Sequence, residues 1–322
     1  MVRSGDEPGA PLAAPVPVPA PAPAAEAPRL PSQRPRHAGE ALRWARAFLA
    51  ACGLDAGEAR ASARVLLAAA LGVPAPRVVA EPELPVPPAA WARFVQWILR
   101  RGRREPVAYL LEGTEFYGRP LRVTPATLIP RPETELLVDV ALRLLPPDPC
   151  VVADLGTGTG AIAVTLAAER PAWTVLATDC SPAALRVARD NARRHGVDRR
   201  VLWYCGDWCE PLLAAGWAGR LAAVISNPPY VAATDLPALA AEVRCYEPHL
   251  ALTPGRTGLE AYRRLVPGAA RLLAPGGWIL LEVGAGQAPA VTELLARNGF
   301  RGLEQWPDLA GIPRVVGGRW EP

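Results

Sequence analysis

Lysine is absent from the 322-residue chain, and all 35 of its basic residues are therefore arginine. Such a bias could reflect contact with phosphate and carboxylate groups, but the excess of alanine and proline favours a bias of the source genome. The formal net charge of +4 is modest for this length. The charge therefore does not indicate a nucleic-acid partner, and we expect no direct contact with nucleic acid.

Cysteine and histidine are scarce as well. The six cysteines include no CxxC pair, and only three histidines could complete a metal site. This pattern argues against a disulfide framework and against zinc, so we predict a protein without a metal. Reduced thiols favour an intracellular location.

Long apolar runs are missing too, and we expect neither a membrane span nor a signal peptide. Ten of the first 35 residues are proline and eight are alanine, so the apolar stretch near the start is repeatedly interrupted. Proline at this density resists helix and sheet, and we predict a disordered tail over residues 1–36. A linker is favoured over a proline-rich ligand for a partner domain. The expected location is the cytoplasm.

From about His37 the apolar residues recur at helical spacing. The pattern predicts one helix that ends before Gly53, a second over Glu58–Leu71 and a third over Pro88–Arg101. Trp91 and Phe94 lie on the apolar face of the third helix, so we predict that they pack in a core. These helices form a predicted small domain over residues 37–106.

A linker or hairpin is predicted over residues 107–132, and an α/β domain over residues 133–322. Apolar strand-like runs alternate there with amphipathic helices, which predicts a mostly parallel sheet covered on both faces. The predicted strands are Val151–Leu155, Thr174–Thr178, Val201–Cys205, Ala222–Ser226 and Trp278–Val283. A segment around Arg314–Gly318 is a candidate antiparallel edge strand.

A glycine-rich segment, DLGTGTG, follows the first of these strands. Its glycines at 156, 158 and 160, with Thr157 and Thr159 between them, allow a tight turn and close approach of a ligand to the backbone. The spacing is GxGxG, whereas a dinucleotide site more typically shows GxGxxG. A tight turn without a ligand is the alternative.

Acidic residues follow the next two strands. Asp179 can accept hydrogen bonds from both ribose hydroxyls of a nucleoside, and Ser181 is better placed than Asp179 to cap the following helix. Asp207 can accept from an exocyclic amine, and Trp208 can cover an apolar ring, although both could be ordinary loop residues. Together with the glycines they predict a nucleoside site at the ends of the strands.

The fourth strand ends in SNPPY, in which two consecutive prolines make a stiff turn. Asn227 Oδ1 and the Pro228 carbonyl can accept both hydrogens of one planar NH2 group, while the ring of Tyr230 covers its face. An amide nitrogen is a poor nucleophile, and hydrogen bonds that hold its protons would direct its lone pair toward a sulfonium methyl. A turn without chemistry is the alternative interpretation.

These motifs resemble those of the release factor glutamine N5-methyltransferase family, known as PrmC or HemK. The resemblance covers nearly everything from Leu42 onward and rests on EPVAYLLEGTEFYG, TLIPRPETELLV, DLGTGTGAIAV, NPPY, YEPHLAL and RVVGGRW. It implies a helical substrate-binding domain followed by a class I, Rossmann-like methyltransferase domain with a seven-stranded sheet. The implied cofactor is S-adenosylmethionine, and the implied substrate is the glutamine of the GGQ loop in class 1 release factors.

The resemblance also assigns residues. Gly156–Gly160, Asp179, Trp208 and Asn227 would contact the cofactor, and Asn227, Pro228, Pro229 and Tyr230 would hold the glutamine amide. Asp207 is added to the cofactor site by its position after the third strand. Arg131, Glu133 and Glu135 belong to an RPxTE element that the family places near the cofactor mouth. From the residues alone, this element could instead be a helix start with Pro132 in its first turn.

Two positions depart from the family pattern: Glu112 stands where glycine is usual, and Thr257 replaces the aspartate of a DGL run. Two alternatives share the methyl-transfer chemistry, namely a ribosomal-protein glutamine methyltransferase and an adenine N6-methyltransferase. A third, of another class, is a non-catalytic cofactor-binding module on the ribosome. Nothing in the sequence resembles a DNA target-recognition domain. We expect a monomeric enzyme that methylates release factors.

Overall fold

The computed structural model describes residue 31 and residues 33–322 of the chain. The predicted tail over residues 1–36 therefore falls almost entirely outside the described residues. At its end, the Arg36 carbonyl accepts a hydrogen bond from the Val86 amide at 2.8 Å. Across the described part of the chain, no helix is long and apolar enough to cross a membrane.

Four helices form the first part of the described chain: α1 (Ala38–Ala51), α2 (Ala56–Leu71), α3 (Arg77–Ala80) and α4 (Pro88–Gly102). Asp55 caps α2 by accepting hydrogen bonds from the amides of Gly57 and Glu58, which satisfies two of the free donors at a helix start. Gly72 ends α2 with a φ of 67°, in the left-handed region that glycine favours. The three longer helices agree with the predicted ones to within two residues at most ends.

An aromatic cluster closes the core of this helical part. Phe94 is fully buried, and the ring of Trp91 lies edge-on to that of Trp44 with centroids 4.9 Å apart. Edge-to-face packing suits the charge distribution of aromatic rings. The prediction that Trp91 and Phe94 pack in a core is confirmed.

A short connection joins the helices to the sheet. It contains α5 (Val107–Leu110) and an antiparallel hairpin of β1 (Gly113–Phe116) and β2 (Arg119–Arg122), and α6 (Thr134–Leu144) follows. The hairpin turns at Tyr117 and Gly118, which both have positive φ. Such turns match the right-handed twist of the paired strands.

The remaining chain folds into a seven-stranded sheet with the order β5-β4-β3-β6-β7-β9-β8. Its strands are β3 (Val151–Leu155), β4 (Thr174–Asp179), β5 (Val201–Cys205), β6 (Leu221–Ser226), β7 (Leu273–Glu282), β8 (Phe300–Pro307) and β9 (Pro313–Trp320). The first five strands of this order are parallel, and β9 and β8 run antiparallel to their neighbours. The predicted α/β fold with a mostly parallel seven-stranded sheet is confirmed.

Helices cover both faces of the sheet, and one apolar core lies on each face. The helices are α6, α7 (Ala161–Glu169), α8 (Pro182–Arg194), α9 (Glu210–Ala214), α11 (Glu260–Leu272) and α12 (Ala288–Arg297). The short α10 (Ala241–Tyr246) has no buried residue and lies in the connection after β6. Single 3-10 turns at Leu236–Ala238 and His249–Ala251 lie in the long connection after β6. The central strands are buried on both sides, as expected of parallel strands.

The prediction of an edge strand at Arg314–Gly318 is wrong in one respect. The segment is antiparallel, but it lies in β9 between β7 and β8, so that Val316 pairs with Leu281 on one side and with Gln305 on the other. The edge is β8, which is mostly exposed. Its sequence, FRGLEQWP, lacks the regular alternation of apolar and polar residues that identifies a half-buried strand.

The strand order reverses at β3, because β4 lies on one side of it and β6 on the other. In an open parallel sheet, such a reversal separates the loops that follow the two neighbouring strands and leaves a crevice at the carboxyl ends. The motifs after β3, β4, β5 and β6 are thereby brought to one edge of the sheet.

Candidate active site

A cavity of about 330 Å³ opens at this edge, within the size range of small-molecule sites. Nine of the predicted site residues line it, together with Arg131: Gly156, Thr157, Gly158, Thr159, Asp179, Asp207, Trp208, Asn227 and Pro229. Gly160, Pro228 and Tyr230 are not among the lining residues. Four separate strand ends thus contribute to one cavity.

The glycine loop needs its glycines for two different reasons. The φ angles of Gly156, Gly158 and Gly160 are 74°, 54° and 78°, which side-chain-bearing residues rarely adopt. A Cβ on Gly158 would meet nothing within 4 Å, so this position leaves open space at the cavity. A Cβ on Gly160 would lie 3.0 Å from the Cβ of Ala188. Gly160 therefore allows α7 and α8 to pack closely, whereas Gly158 leaves room for a ligand.

Asp154, the first residue of the DLGTGTG motif, holds the loop from below. It is fully buried, and its Oδ2 accepts hydrogen bonds from the Thr157 hydroxyl at 2.5 Å and the Ala163 amide at 3.1 Å. Burial raises the pKa of Asp154 to about 7. Sequence reasoning did not single out this residue, although its place at the end of a buried strand was the available signal.

Asp179 is held by two backbone amides. Its Oδ2 accepts from Gly158 at 2.9 Å, and its Oδ1 accepts from Ser181 at 2.8 Å. An ionised carboxylate has about four acceptor sites, so each oxygen can still accept a hydroxyl. Burial raises the pKa of Asp179, and the two amide bonds oppose that effect. Ser181 caps α8 by accepting from the Ala184 amide, as the sequence predicts.

Trp208 and Asp207 lie on the far side of the glycine loop. The indole of Trp208 packs so closely over Gly156 that a Cβ there would be 3.2 Å from its Cζ3 atom. Trp208 itself has a φ of 45°, a strained geometry for a bulky residue. The Asp207 carboxylate forms an ion pair with Arg264. A ligand amine that bonds to Asp207 would therefore share the carboxylate with this guanidinium.

The orientation of the Asn227 amide is defined by its neighbours. Its Nδ2 donates to the Thr134 hydroxyl at 3.0 Å, and Asn227 lines the cavity. Because the amide nitrogen is engaged by Thr134, Oδ1 is the atom left to accept from a ligand. Thr134 was not among the predicted site residues, although it lies inside the RPxTE element.

The tyrosine of the NPPY turn is fixed at both ends. Gln287 Nε2 donates to the Tyr230 carbonyl at 2.9 Å, and the Tyr230 hydroxyl lies 3.5 Å from Oε1 of Glu282. A Cβ on Gly258 would lie 2.4 Å from the Tyr230 carbonyl oxygen, so this loop packs directly on the turn. Burial raises the pKa of Tyr230 to about 12, and the ring therefore stays neutral.

The three residues of the RPxTE element have different surroundings. Arg131 lines the cavity, and its guanidinium pairs with the buried carboxylate of Glu247 at 2.6 Å. Glu133 is exposed. Glu135 accepts a hydrogen bond from the Tyr117 amide at 2.7 Å and thereby anchors the β1–β2 hairpin. Of the three, only Arg131 lies on the cavity wall.

Glu247 links this element to the segment after NPPY. Besides pairing with Arg131, it accepts from the Ile129 amide at 3.1 Å. A buried carboxylate is stable only when its charge is compensated, and these two partners provide that compensation. Glu247 belongs to the YEP run that carries part of the resemblance, but its residue type alone did not identify its role.

The cavity suits S-adenosylmethionine in shape and chemistry. Asp179 has acceptor sites for two ribose hydroxyls, and the Trp208 ring can pack on a purine. The open space beside Gly158 lets a charged ligand approach backbone amides near the start of α7. Apolar side chains such as Ile162 and Leu250 supply the rest of the wall. The residues present therefore fit the cofactor that the resemblance implies.

Two family descriptions match the chain. The PrmC N-terminal domain matches residues 40–111, and the methyltransferase small domain matches residues 134–244. Together they cover the helical part and most of the cavity-forming strand ends. Glycine loop, Asp179 and NPPY all fall within the second match.

Curated relatives match over most of their own length. A release factor glutamine methyltransferase of Cereibacter sphaeroides is 47% identical over 283 residues, which is 88% of this chain and 98% of that protein. A protein of the same name from Moorella thermoacetica is 46% identical over 86% of this chain and 94% of that protein. One from Geobacter sulfurreducens is 42% identical over 86% and 95%.

Proposed function

Because the chain belongs to the release factor glutamine methyltransferase family, we propose that it methylates the side-chain amide of a glutamine in a class 1 release factor. The methyl donor is S-adenosylmethionine, and the target is the glutamine of the GGQ loop. The observation that carries the proposal is the Asn227 amide, whose nitrogen is engaged by Thr134 so that its oxygen is free to accept at the cavity.

The reacting amide is held by acceptors that the turn provides. Asn227 Oδ1 and the Pro228 carbonyl accept its two protons, while the Tyr230 ring lies beside its flat face. This arrangement disfavours donation of the nitrogen lone pair into the carbonyl and directs it at the methyl group. Proline at 228 and 229 stiffens the turn, so little reorganisation is needed when substrate binds.

The cofactor supplies an electrophilic methyl group on a positively charged sulfur. When bound, it would donate this methyl group to the amide nitrogen, with the electron pair of the carbon–sulfur bond left on sulfur and one amide proton released to solvent. Asp179 would bind the ribose hydroxyls, Trp208 and Asp207 would bind the adenine, and the glycine loop would accommodate the chain that carries the sulfur.

Arg131 has a separate part in this proposal. Its guanidinium lies on the cavity wall and is held there by Glu247, so the positive charge has a fixed position. A fixed arginine suits the carboxylate at the end of the cofactor. Glu133 and Glu135 have no assigned contact with cofactor.

The test uses purified release factor with the enzyme and cofactor, followed by mass spectrometry of the GGQ peptide. We expect a gain of one methyl group on the glutamine and none when that glutamine is replaced by alanine. A ribosomal protein and an adenine-containing DNA duplex serve as competing substrates. Methylation of either competitor in preference to the release factor would overturn the substrate assignment.

The proposed function also concerns the oligomeric state of the enzyme, its location and the part of the chain that binds the release factor. The enzyme acts as a monomer in the cytoplasm, and its helical part, residues 37–106, contributes to binding of the release factor. Sedimentation of the enzyme alone tests its monomeric state. Deletion of the helical part would confuse lost binding with unfolding of the remaining chain. Surface substitutions on α1 and α2, followed by measurement of release factor affinity, are therefore the preferred test.

A further inference from the structure

A buried carboxyl group lies behind the NPPY turn. Glu282, the last residue of β7, is only 2% exposed. Its neighbour Leu281 pairs with Ser226 of β6, and Asn227 follows Ser226 directly. The sheet register therefore brings Glu282 to the level of Asn227, although the carboxyl group does not line the cavity.

One oxygen of this carboxyl group is unsatisfied, and a hydroxyl with a proton to donate lies near it. Oε2 of Glu282 is buried and lacks a hydrogen bond of good geometry among the described residues. Thr134 bonds to Asn227, and Asn227 continues the register that pairs Ser226 with Leu281, so the Thr134 hydroxyl is placed beside the Glu282 carboxyl group. This neighbour lowers the pKa of Glu282. Thr134 is itself buried and accepts from Asn227 Nδ2. A hydroxyl has one proton to donate, and the Glu282 carboxylate is the acceptor at hand.

The hydrogen bonds of Thr134 determine how the Asn227 amide is oriented. An ionised Glu282 can only accept, so Thr134 donates to it and presents a lone pair to Asn227. The amide must then turn its nitrogen toward Thr134 and its oxygen toward the cavity. The reverse orientation would place an NH2 group against the substrate NH2, and two donors repel each other.

We propose that Glu282 acts through Thr134 as a positioning residue that fixes the orientation of the Asn227 amide for methyl transfer. The inference rests on the proposed function for the identity of the reaction. The orientation of Asn227 in the free protein does not depend on which reaction the enzyme performs. Neither Glu282 nor Thr134 touches the reacting atoms in this proposal.

Because Glu282 can gain or lose a proton, the orientation of the Asn227 amide should depend on pH. Burial raises the pKa of Glu282 to about 7, and Glu133 raises it further, whereas Arg314 and the Thr134 and Tyr230 hydroxyls lower it. Tyr262 also faces this group, donating to the main-chain oxygen of Glu282 at 2.9 Å. Burial raises the pKa values of both tyrosines, so neither ionises near neutrality.

Methyl transfer requires the ionised form of Glu282, in which Thr134 donates to the carboxylate. Protonated Glu282 can donate to Thr134, which is then free to donate to Asn227 Oδ1 and to stabilise the wrong orientation. The rate of methyl transfer should therefore fall as pH is lowered through about 7. Burial also raises the pKa of Asp154 to about 7. Because Asp154 supports the glycine loop, its protonation should alter cofactor affinity rather than the rate at saturating cofactor.

The experiment compares single-turnover rates at saturating cofactor for Thr134→Val, Thr134→Ser and Glu282→Gln. Thr165→Val is the matched control, because Thr165 is a fully buried threonine on α7 outside the site. We expect Thr134→Val to slow transfer by about 10-fold or more, Thr134→Ser to stay within a few-fold of the parent, and Thr165→Val to leave the rate unchanged. Glu282→Gln should slow transfer and remove the acid limb near pH 7.

A second measurement does not need the substrate. The side-chain amide signals of Asn227 in nitrogen-15 NMR spectra of the free protein should titrate near pH 7 and lose that titration in Glu282→Gln. Equal rates for Thr134→Val and Thr165→Val, or an acid limb that survives in Glu282→Gln, would overturn the proposal. Absence of release factor methylation by the parent enzyme, with the NMR titration intact, would overturn only the proposed function. Circular dichroism identifies any variant that fails to fold, and the remaining variants then decide.

Discussion

Asn227 and Thr134 are 93 residues apart in the chain, yet the Asn227 amide donates to the Thr134 hydroxyl over 3.0 Å. One residue follows a central strand, and the other begins α6 in front of the sheet. The bond leaves the Asn227 oxygen free for a substrate. It connects the RPxTE element to the NPPY turn, the two segments on which the resemblance most depends.

Replacement of Asn227 by alanine should slow methyl transfer by roughly 10²-fold or more, because one preorganised acceptor is lost. Cofactor affinity should change much less. Single-turnover methylation and calorimetry measure the two effects separately. Asn227→Asp retains an acceptor and should keep partial activity. A near-normal rate for Asn227→Ala would refute the proposed role, and equal losses of rate and affinity would make Asn227 a cofactor ligand only.

Asp179→Ala should weaken cofactor binding by about 1.5 to 3 kcal/mol, since a charged acceptor of two hydroxyls is removed. The change also leaves the amides of Gly158 and Ser181 without their carboxylate partner. Asp179→Asn keeps an acceptor oxygen and should lose less. Calorimetry gives the dissociation constants, with the distant substitution Asp198→Ala as control. An unchanged constant for Asp179→Ala would remove this residue from the site.

Gly258→Ala should displace the NPPY turn, because its Cβ would lie 2.4 Å from the Tyr230 carbonyl oxygen. We expect a loss of transfer rate of at least about 10-fold. Gly276→Ala is a matched control, since Gly276 has a similar φ of 78° and an added Cβ would meet nothing within 4 Å. Both changes carry the same backbone strain, and only the first collides. Similar rates for the two variants would show that the close approach is unimportant.

Glu112→Gly should stabilise the protein by about 0.5 to 1 kcal/mol, measured by urea unfolding. Glu112 has a φ of 51°, a left-handed conformation in which its Cβ causes steric strain that glycine avoids. Glu115→Gly, in the adjacent strand β1, is the control and should destabilise by a similar amount. If both changes destabilise equally, the conformation of Glu112 is not strained.

The two departures from the family pattern have local explanations. Glu112 adopts the left-handed conformation that suits the usual glycine. At the other position, the Thr257 hydroxyl accepts from the Leu259 amide and donates to Glu260, so it forms the kind of turn that aspartate also makes. Gly258 itself is retained, as its close approach to Tyr230 requires. Neither departure alters the residues that line the cavity.

Much of the fold could be predicted because the signals are local. Strands such as Val151–Leu155 and Val201–Cys205 are short apolar runs bounded by turns, and their predicted ends match the structure. Polar residues at the carboxyl ends of parallel strands must meet at one edge, so Asp179 and Asn227 could be placed together without coordinates. The position of β9 between β7 and β8 could not be predicted, because the residues of a strand do not show which other strands it pairs with.

The sequence by itself determined the α/β class, the glycine loop, the acidic strand end at Asp179 and the NPPY turn, because backbone preferences and strand ends are fixed by neighbouring residues. Only the tertiary structure decided which groups orient these residues. Thr134 precedes Asn227 by 93 residues, and Glu282 and Gln287 follow Tyr230 by 52 and 57 residues. Nothing in their residue types requires them to meet the NPPY turn. Their contacts depend on sheet register and helix packing, which bring each donor opposite its acceptor.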